Sequence, residues 1–249
     1  MQTKLGILDW GIGGVSVYKQ VKKRLGEVRT VYFSDTGAVP YGKMSRRELV
    51  ERLNAVLDFL RSRGVTHLLV GCNAASTAIP DLRREDMKIE GVIESAVRAT
   101  ARLNPAKLAV IGGRRTILSG IYRRQFAARG IEIEQRVAQP LSGLIESGDT
   151  SSEILRREAR KILTPVRSAS HILLACTHYP AITGVLQEFV SPDTRFVDPA
   201  GALVEKISDW ELEKNGADVF YTTGGAAAMK IAAFSAFGVK IPRVEKVTL

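Results

Sequence analysis

The 249-residue sequence has few of the residue types that mark secreted, membrane or metal-binding proteins. Two cysteines are too few for a disulfide scaffold, and with three histidines they give no obvious ligand set for structural zinc. No apolar run approaches the roughly 18 residues that a membrane span needs. Asp9 and several glycines lie where a signal peptide would need its apolar stretch. We therefore expect a cytoplasmic protein without a membrane or metal partner.

Positive charge is plentiful, with 36 Lys and Arg against 26 Asp and Glu and a formal net charge of +10. Such a surface attracts anionic substrates and also permits nucleic-acid binding. The arginine pairs are scattered, however, and most have a glutamate nearby, as in residues 46–48 and 156–158. No recognisable nucleic-acid motif accompanies them. We interpret most of these charges as solvated surface and do not expect nucleic acid to be a partner.

Short apolar runs alternate with amphipathic segments along the whole chain. The apolar runs predict buried strands at residues 5–8, 31–33, 67–70, 108–111, 131–133 and 171–174. The amphipathic segments predict helices at residues 15–25, 45–63, 118–129 and 152–168. Strands that alternate with helices are typical of parallel sheets built from right-handed crossovers. The predicted fold class is therefore α/β.

Two strand sequences occur twice in the chain, in the same order and at nearly the same spacing. Residues 4–8 recur at 107–111, and residues 67–72 recur at 171–176. This repetition predicts two pseudo-symmetric, doubly wound domains with parallel sheets. Each copy has a cysteine just beyond the end of a strand, Cys72 in the first and Cys176 in the second.

The two cysteines indicate a site for proton transfer at the domain interface. Ligands of open parallel sheets bind beyond the carboxyl ends of the strands, so Cys72 and Cys176 are expected to face one pocket. Inversion at a carbon needs a base on one face and an acid on the other, which a thiolate and a thiol supply without a cofactor. Helix N-termini after both strands are expected to lower the thiol pKa. The alternative is that both are small buried hydrophobes, as most free cysteines are.

Several motifs, in this order, resemble those of glutamate racemases in the aspartate/glutamate racemase superfamily. They are Asp9 before a glycine turn, Pro40-Tyr41-Gly42, Cys72-Asn73, Gly91-Val92-Ile93-Glu94, and Cys176-Thr177-His178-Tyr179-Pro180. The resemblance implies a first domain of residues 1–94 and 207–249, with residues 95–206 inserted as the second. It also implies a homodimeric enzyme that converts L-glutamate to D-glutamate for peptidoglycan without a cofactor.

The same resemblance assigns a role to each matched position. Cys72 and Cys176 transfer the protons, and Asp9 and His178 assist them, with Asp9 also suited to hold the substrate ammonium. The remaining matched residues contact substrate carboxylates, through backbone N–H groups in the turn and through side-chain donors elsewhere. These substrate-binding positions are Pro40, Tyr41, Gly42, Asn73, Thr116 and Thr177.

Two other substrate-contacting positions depart from the family pattern. Trp10 stands where the family has a serine that reaches the distal carboxylate, and Ala74 where it has a threonine that reaches the α-carboxylate. Loss of one hydrogen bond to a charged group weakens binding by about 1.5–3 kcal/mol, or one to two decades in affinity. The Trp10 indole either fills space that a glutamate side chain occupies or packs against the opposite domain.

Three alternatives to a glutamate racemase follow from the sequence. A racemase with the same machinery could act on another amino acid. A catalytically weak relative could act as a binding protein, for which the basic surface would be useful. The glycines at residues 11–14, with Asp35 beyond them, approach a dinucleotide fingerprint, although Ser16 replaces its third small residue.

Overall fold

Two parallel β-sheets with surrounding helices make up the computed structural model, which describes residues 3–214 and 216–249. The strands, in chain order, are β1 (Lys4–Asp9), β2 (Thr30–Ser34), β3 (Val65–Val70), β4 (Lys88–Gly91), β5 (Leu108–Gly112), β6 (Ile133–Val137), β7 (His171–Ala175), β8 (Arg195–Val197), β9 (Val219–Thr222) and β10 (Glu245–Lys246). The first sheet has the order β10-β9-β2-β1-β3-β4, and the second has the order β6-β5-β7-β8. The predicted α/β class with parallel sheets is confirmed.

The helices connect the strands and cover the faces of the sheets. They are α1 (Val15–Leu25), α2 (Arg46–Ser62), α3 (Asn73–Ser76), α4 (Val92–Arg102), α5 (Arg114–Leu118), α6 (Ile121–Ala127), α7 (Gln139–Glu146), α8 (Glu153–Leu163), α9 (Thr183–Gln187), α10 (Ala200–Glu205) and α11 (Ala226–Phe237). Within the described ranges, no helix combines the length and the apolar character that crossing a membrane requires.

Sheet membership divides the chain into two halves. The chain builds β1 to β4 of the first sheet, leaves it to build the whole second sheet, and then returns with β9 and β10. We call the part that carries the first sheet the first half, and the part that carries the second sheet the second half. Their exact limits along the chain stay a prediction.

The start of helix α2 and its buried face both follow from the local sequence. The Ser45 side chain accepts from the Glu48 backbone N–H at 3.2 Å, and the Glu48 carboxylate accepts from the Ser45 N–H at 2.7 Å. This reciprocal cap satisfies two backbone donors that the first turn of a helix leaves free. The buried residues of α2 then repeat at helical spacing and pack on the first sheet: Leu49, Leu53, Val56, Leu57 and Leu60.

The strands of the first sheet have different neighbours on their two faces. Side chains alternate along a strand, so Leu5 and Ile7 of β1 face one core and Leu8 faces another. The core that contains Leu5 and Ile7 also contains Leu108 and Leu173 from the second sheet. We call it the shared core, because both halves contribute to it. The core that contains Leu8 lies on the other face of the first sheet, against α2.

Three predicted elements differ from the observed ones by more than two residues at one end. The strand predicted at 131–133 overlaps β6 only at Ile133. The helix predicted at 118–129 is divided between α5 and α6, because Gly120 has a φ of 67°, in the left-handed region. The helix predicted at 152–168 ends at Leu163 and continues only as a 3₁₀ turn that contains Pro165, whose ring prevents the regular α-helical hydrogen bond.

Candidate active site

A cavity of about 380 Å³ lies between the two halves, beyond the carboxyl ends of β1, β3, β5 and β7. This is where parallel sheets place their ligands. The structure brings all the residues proposed from the sequence into its lining: Asp9, Trp10, Pro40, Tyr41, Gly42, Cys72, Asn73, Ala74, Thr116, Cys176, Thr177 and His178. Each half therefore contributes one cysteine to the same cavity.

Cys72 is buried and lies two residues beyond the end of β3, at the position that caps α3. Burial raises the pKa of its thiol well above the usual value, and the nearby Asp9 and Cys176 raise it further. Backbone N–H groups of Ala75 and Trp10 lower it only in part. The expectation that a helix N-terminus lowers the pKa of this thiol is therefore wrong. Helix α3 has four residues, which is too short to offset the burial of a charge.

Asp9 has a buried carboxyl group at the end of β1, with 1% of the residue surface exposed. Its Oδ1 accepts from the Trp10 backbone N–H at 2.7 Å, and its Oδ2 accepts from the Thr177 hydroxyl at 2.7 Å. Burial raises the pKa of Asp9, while the nearby His178 and these hydrogen bonds oppose the shift. Thr177 belongs to the second half, so this bond crosses the cavity. Because the Thr177 hydroxyl already donates its proton to Asp9, that proton is not free to bind a substrate carboxylate.

Cys176 has a histidine and a carboxylate as its partners. The sulfur lies 3.6 Å from Nδ1 of His178, whose Nε2 lies 2.6 Å from Oε2 of Glu146. Burial alone would lower the pKa of His178, but the hydrogen bonds to Cys176 and Glu146 raise it well above 6.5. A protonated imidazole can donate to both partners at once. The arrangement therefore favours a cation beside the Cys176 sulfur.

Glu146 is a site residue that the sequence analysis missed. It ends α7, and its Oε2 also accepts from the backbone N–H of Ile12 at 2.9 Å, so it joins the two halves. Its partners lie far from it in the chain, and nothing in the residues around it marks it as different from a surface glutamate. The two cysteines, by contrast, were visible through the internal repeat.

The glycine cluster after β1 packs against the second half. A Cβ atom on Gly11 would lie 2.0 Å from Glu146 Oε2, and one on Gly13 would lie 2.3 Å from Thr177 Oγ1. These glycines therefore allow side chains of the second half to approach the backbone closely. The space that a pyrophosphate would need in a dinucleotide site is already occupied.

Asp35 does not fit the dinucleotide alternative either. In such a site its carboxylate would bind a ribose. Here it accepts two hydrogen bonds from Arg52, at 2.8 and 2.6 Å, and one from the Tyr41 hydroxyl at 2.7 Å. Asp35 is fully buried and is occupied by these partners. The structure thus gives no support to dinucleotide binding through this cluster.

The turn at residues 40–43 places backbone donors at the cavity. It closes through a hydrogen bond of 2.7 Å from the Lys43 N–H to the Pro40 carbonyl. The Tyr41 hydroxyl anchors it to Asp35, while the Tyr41 carbonyl accepts from Arg115 Nε of the second half at 3.2 Å. Among the described residues, the N–H groups of Tyr41 and Gly42 have no protein acceptor. Both remain available to a ligand.

Asn73 also offers a free donor in the cavity. Its Oδ1 accepts from the Tyr122 hydroxyl at 2.6 Å, which fixes the orientation of the amide across the two halves. Its Nδ2 is buried, and in the part of the chain that the structure describes it has no partner. A buried amide N–H group without a partner is costly, so this geometry suits a ligand that accepts a hydrogen bond.

Trp10 and Ala74 both line the cavity, and both pack against the core of the first half. The Trp10 Nε1–H donates to the Ala38 carbonyl at 3.1 Å, which holds the indole in place. The indole is thus associated with its own half rather than with the opposite one. The alternative that it turns away to pack against the second half is not what the structure shows.

The sequence comparison identifies the family. The sequence model described as Asp/Glu/Hydantoin racemase matches residues 5–207, and the chain belongs to this family. It is an isomerase of the amino-acid racemase class, as the sequence predicted. Over the described residues, no group of three His, Cys, Asp or Glu side chains is arranged to hold a metal ion.

Its curated relatives include glutamate racemases. The chain is 32% identical to glutamate racemase of Aquifex aeolicus, over 88% of each protein. It is 30% identical to that of Gloeobacter violaceus, over 92% of this chain and 91% of the other. It also resembles the solved glutamate racemase from Thermus thermophilus in complex with β-chloro-D-alanine. That structure has a TM-score of 0.85 and 28% identity, and the match covers 100% of this chain and 98% of the other.

Proposed function

We propose that the protein racemises glutamate by a two-thiol mechanism without a cofactor and supplies D-glutamate for peptidoglycan. The observation that carries this proposal is the pair of cysteines at equivalent strand ends of two sheets, Cys72 next to Asp9 and Cys176 next to His178. The identity to glutamate racemases over most of the chain supports the choice of substrate.

On the second half, Cys176 acts as the base in our proposal. The imidazolium of His178 stabilises a negative charge on the sulfur, and Glu146 stabilises the imidazolium. The thiolate removes the α-proton from the face of the substrate that it contacts. The electrons of the broken C–H bond pass to the α-carboxylate, where hydrogen-bond donors must stabilise the added charge.

On the first half, Cys72 acts as the acid in the same turnover. Burial and the carboxylate of Asp9 raise the pKa of this thiol, so it enters the reaction protonated. It donates its proton to the opposite face of the α-carbon, which inverts the configuration. Cys72 is then the thiolate and Cys176 the thiol, and the enzyme is ready for the reverse reaction. Asp9 is suited to hold the substrate ammonium beside Cys72.

The free donors of the cavity bind the carboxylates of the substrate. The N–H groups of Tyr41 and Gly42 and the Nδ2 of Asn73 are present without protein acceptors among the described residues. Thr116 is buried and also lines the cavity. These donors are fixed by the fold before the substrate arrives, which is the condition for electrostatic stabilisation in the transition state.

A racemase with a shifted substrate is the second candidate function. The observation that favours it is the Trp10 indole, which lines the cavity and is held there by its bond to Ala38. With Ala74 beside it, two positions lack the hydroxyls expected by resemblance. A substrate smaller or less acidic than glutamate would then bind better. The binding-protein alternative has less support, because Cys72 keeps Asp9 and Cys176 keeps His178 beside the cavity.

The organisation of the protein is part of the same proposal. We propose a first domain of residues 1–94 and 207–249 and a second of 95–206, a division that the sheet order supports. We further propose a homodimer in the cytoplasm, in keeping with the resemblance. Sedimentation of the purified protein tests the oligomeric state directly.

Circular dichroism of the purified protein with a panel of L- and D-amino acids tests the proposed substrate. We expect glutamate to racemise fastest, without added pyridoxal phosphate, and solvent deuterium to enter the α-position. Faster turnover of another amino acid would favour the shifted-substrate alternative. No reaction with any member of the panel would contradict the proposal.

A further inference from the structure

Arg115 joins the second half to the turn of the first half at the cavity. It lies in α5, and its Nε donates to the Tyr41 carbonyl at 3.2 Å. One of its terminal nitrogens donates to the Met44 carbonyl. Both contacts are to neutral carbonyl oxygens, so they fix the guanidinium without neutralising its charge. Arg115 lines the cavity, next to the turn that presents the Tyr41 and Gly42 N–H groups.

The charge of Arg115 has no counter-ion in the part of the chain that the structure describes. It forms no ion pair there, and its second terminal nitrogen donates to no protein group. Burial lowers the pKa of Arg115, and the positive charge of Arg46 lowers it further. Lys43 also lines the cavity, is exposed, and forms no ion pair with a described residue.

The two sides of the cavity therefore differ in charge. Asp9 lies beside Cys72, and Glu146 contacts the side of the His178 imidazole that faces away from Cys176. Lys43 ends the turn and Arg115 contacts it, and neither pairs with a carboxylate of a described residue. An arginine held in place, with N–H groups still free, is suited to bind a carboxylate. A substrate with a carboxylate on its side chain would supply the negative charge that Arg115 and Lys43 lack as a partner.

We infer that Arg115, supported by Lys43, binds the side-chain carboxylate of the substrate and selects acidic amino acids over neutral ones. This inference rests on the proposed function and names the residues that set its specificity. It also explains how the site accommodates Trp10: a cation from the second half supplies the contact that the missing hydroxyl would have made. Since Arg115 contacts both the turn and the ligand, the carboxylate also strengthens the link between the halves.

Binding of two ligands of nearly the same shape tests the inference. D-glutamate and D-glutamine differ in one charge, and fluorescence of Trp10 in the cavity wall reports their apparent dissociation constants. For Arg115→Gln we expect binding of D-glutamate to weaken about ten- to a hundredfold, as for loss of a hydrogen bond to a charged group. Binding of D-glutamine should change by less than about threefold, because no charge pair is lost.

Three further variants separate specificity from a structural effect. Arg114→Gln is the matched control, because Arg114 is the exposed neighbour in α5 that does not line the cavity, and it should bind both ligands like the wild type. Arg115→Lys keeps the positive charge but lacks the planar guanidinium with its several N–H donors. It should therefore retain part of the preference for glutamate. Lys43→Gln should reduce the preference for glutamate by a smaller factor. Because this variant leaves the contacts of Arg115 intact, it serves as the test if Arg115→Gln fails to fold.

The inference is wrong if Arg115→Gln binds D-glutamate and D-glutamine more weakly by the same factor. If Arg115→Gln is unfolded, it is wrong if Lys43→Gln keeps the wild-type preference for D-glutamate. Either result leaves the proposed function standing if the wild type racemises glutamate. A wild type that neither binds nor racemises glutamate would instead contradict the proposed function, whatever the variants do.

Discussion

Cys72 and Cys176 occupy equivalent strand ends in the two halves, but their surroundings are opposite in charge. Cys72 is buried beside the carboxylate of Asp9, and both the burial and the negative charge raise the pKa of its thiol. Cys176 is half-buried beside His178, which Glu146 helps to keep protonated. The repeated backbone thus places two thiols at one cavity. In our proposal, the side chains that differ between the halves make Cys72 the acid and Cys176 the base.

Each half also bonds to the other through its own acidic residue. Asp9 of the first half accepts from Thr177 of the second, and Glu146 of the second accepts from Ile12 of the first. These two carboxylates therefore connect the halves on either side of the cavity. The two cysteines are thus related by the pseudo-symmetry of the halves. The charged residues near them are not related by it, and they make the two thiols different.

Replacement of either thiol tests the comparison most severely. Cys72→Ser and Cys176→Ser should each lower racemisation by more than about a thousandfold, because a hydroxyl gives up its proton far less readily than a thiol and acid–base catalysis contributes on that scale. The remaining thiol can still remove a proton and return one to the same face. Deuterium exchange measured by NMR should therefore persist slowly with one enantiomer in Cys72→Ser and with the other in Cys176→Ser. Exchange of the same enantiomer in both variants would contradict the opposite-face arrangement.

The pH dependence of Glu146→Gln tests the cation beside Cys176. Glu146 raises the pKa of His178, so its loss should lower that pKa, and the imidazolium should disappear at lower pH than in the wild type. We expect kcat/KM at pH 7 to fall about tenfold or more, on the scale of a lost charge-assisted bond. The decline in kcat/KM on the alkaline side should also begin at lower pH than in the wild type.

The control for this variant is Glu188→Gln, which removes a surface ion pair with Arg156. Exposed pairs contribute little, so its pH profile should match that of the wild type. If Glu146→Gln keeps the wild-type profile, His178 is not the group that supports the Cys176 thiolate.

Tyr122→Phe gives the smallest expected effect. It removes only the hydrogen bond that orients the Asn73 amide, whose Nδ2 is proposed to donate to the substrate. Without the Tyr122 hydroxyl, Asn73 Oδ1 loses its 2.6 Å partner and the amide is free to turn. We expect KM to rise a few-fold, kcat to stay within about a factor of two, and unfolding free energy to fall by about 1 kcal/mol, the usual value of one hydrogen bond. Tyr18→Phe removes a comparable bond to Asp218, outside the cavity, and should leave KM unchanged. A similar rise in KM in both variants would argue against a special role for Asn73.

The sequence predicted the central strands of both sheets because their apolar residues form short uninterrupted runs. Strands β4, β8 and β10 are two to four residues long and lie at sheet edges, so they carry too few apolar positions to form a pattern. Strand β9 also has four residues and was missed, although it lies between β2 and β10. Its pairing depends on residues far away in the chain, which periodicity does not report.

The site was predictable to the extent that motifs lie next to one another in the chain. His178 is two residues from Cys176, and the turn at residues 40–43 is continuous. Glu146 and Arg115 act across the halves, and no local pattern distinguishes them from surface charges. The pKa of Cys72 was predicted in the wrong direction because burial, which only the folded chain defines, outweighs the nearby backbone donors.

The shared core bears on how the protein unfolds. Leu5 and Ile7 of the first sheet lie in one continuous apolar cluster with Leu108 and Leu173 of the second. Separating the halves would expose that cluster to water, at about 25 cal/mol for each Å² of apolar surface. Neither half keeps its full stability without the other, so we expect both sheets to melt in a single calorimetric transition. Two sheets then behave as one cooperative unit, and a destabilising change in either half lowers the melting temperature of both.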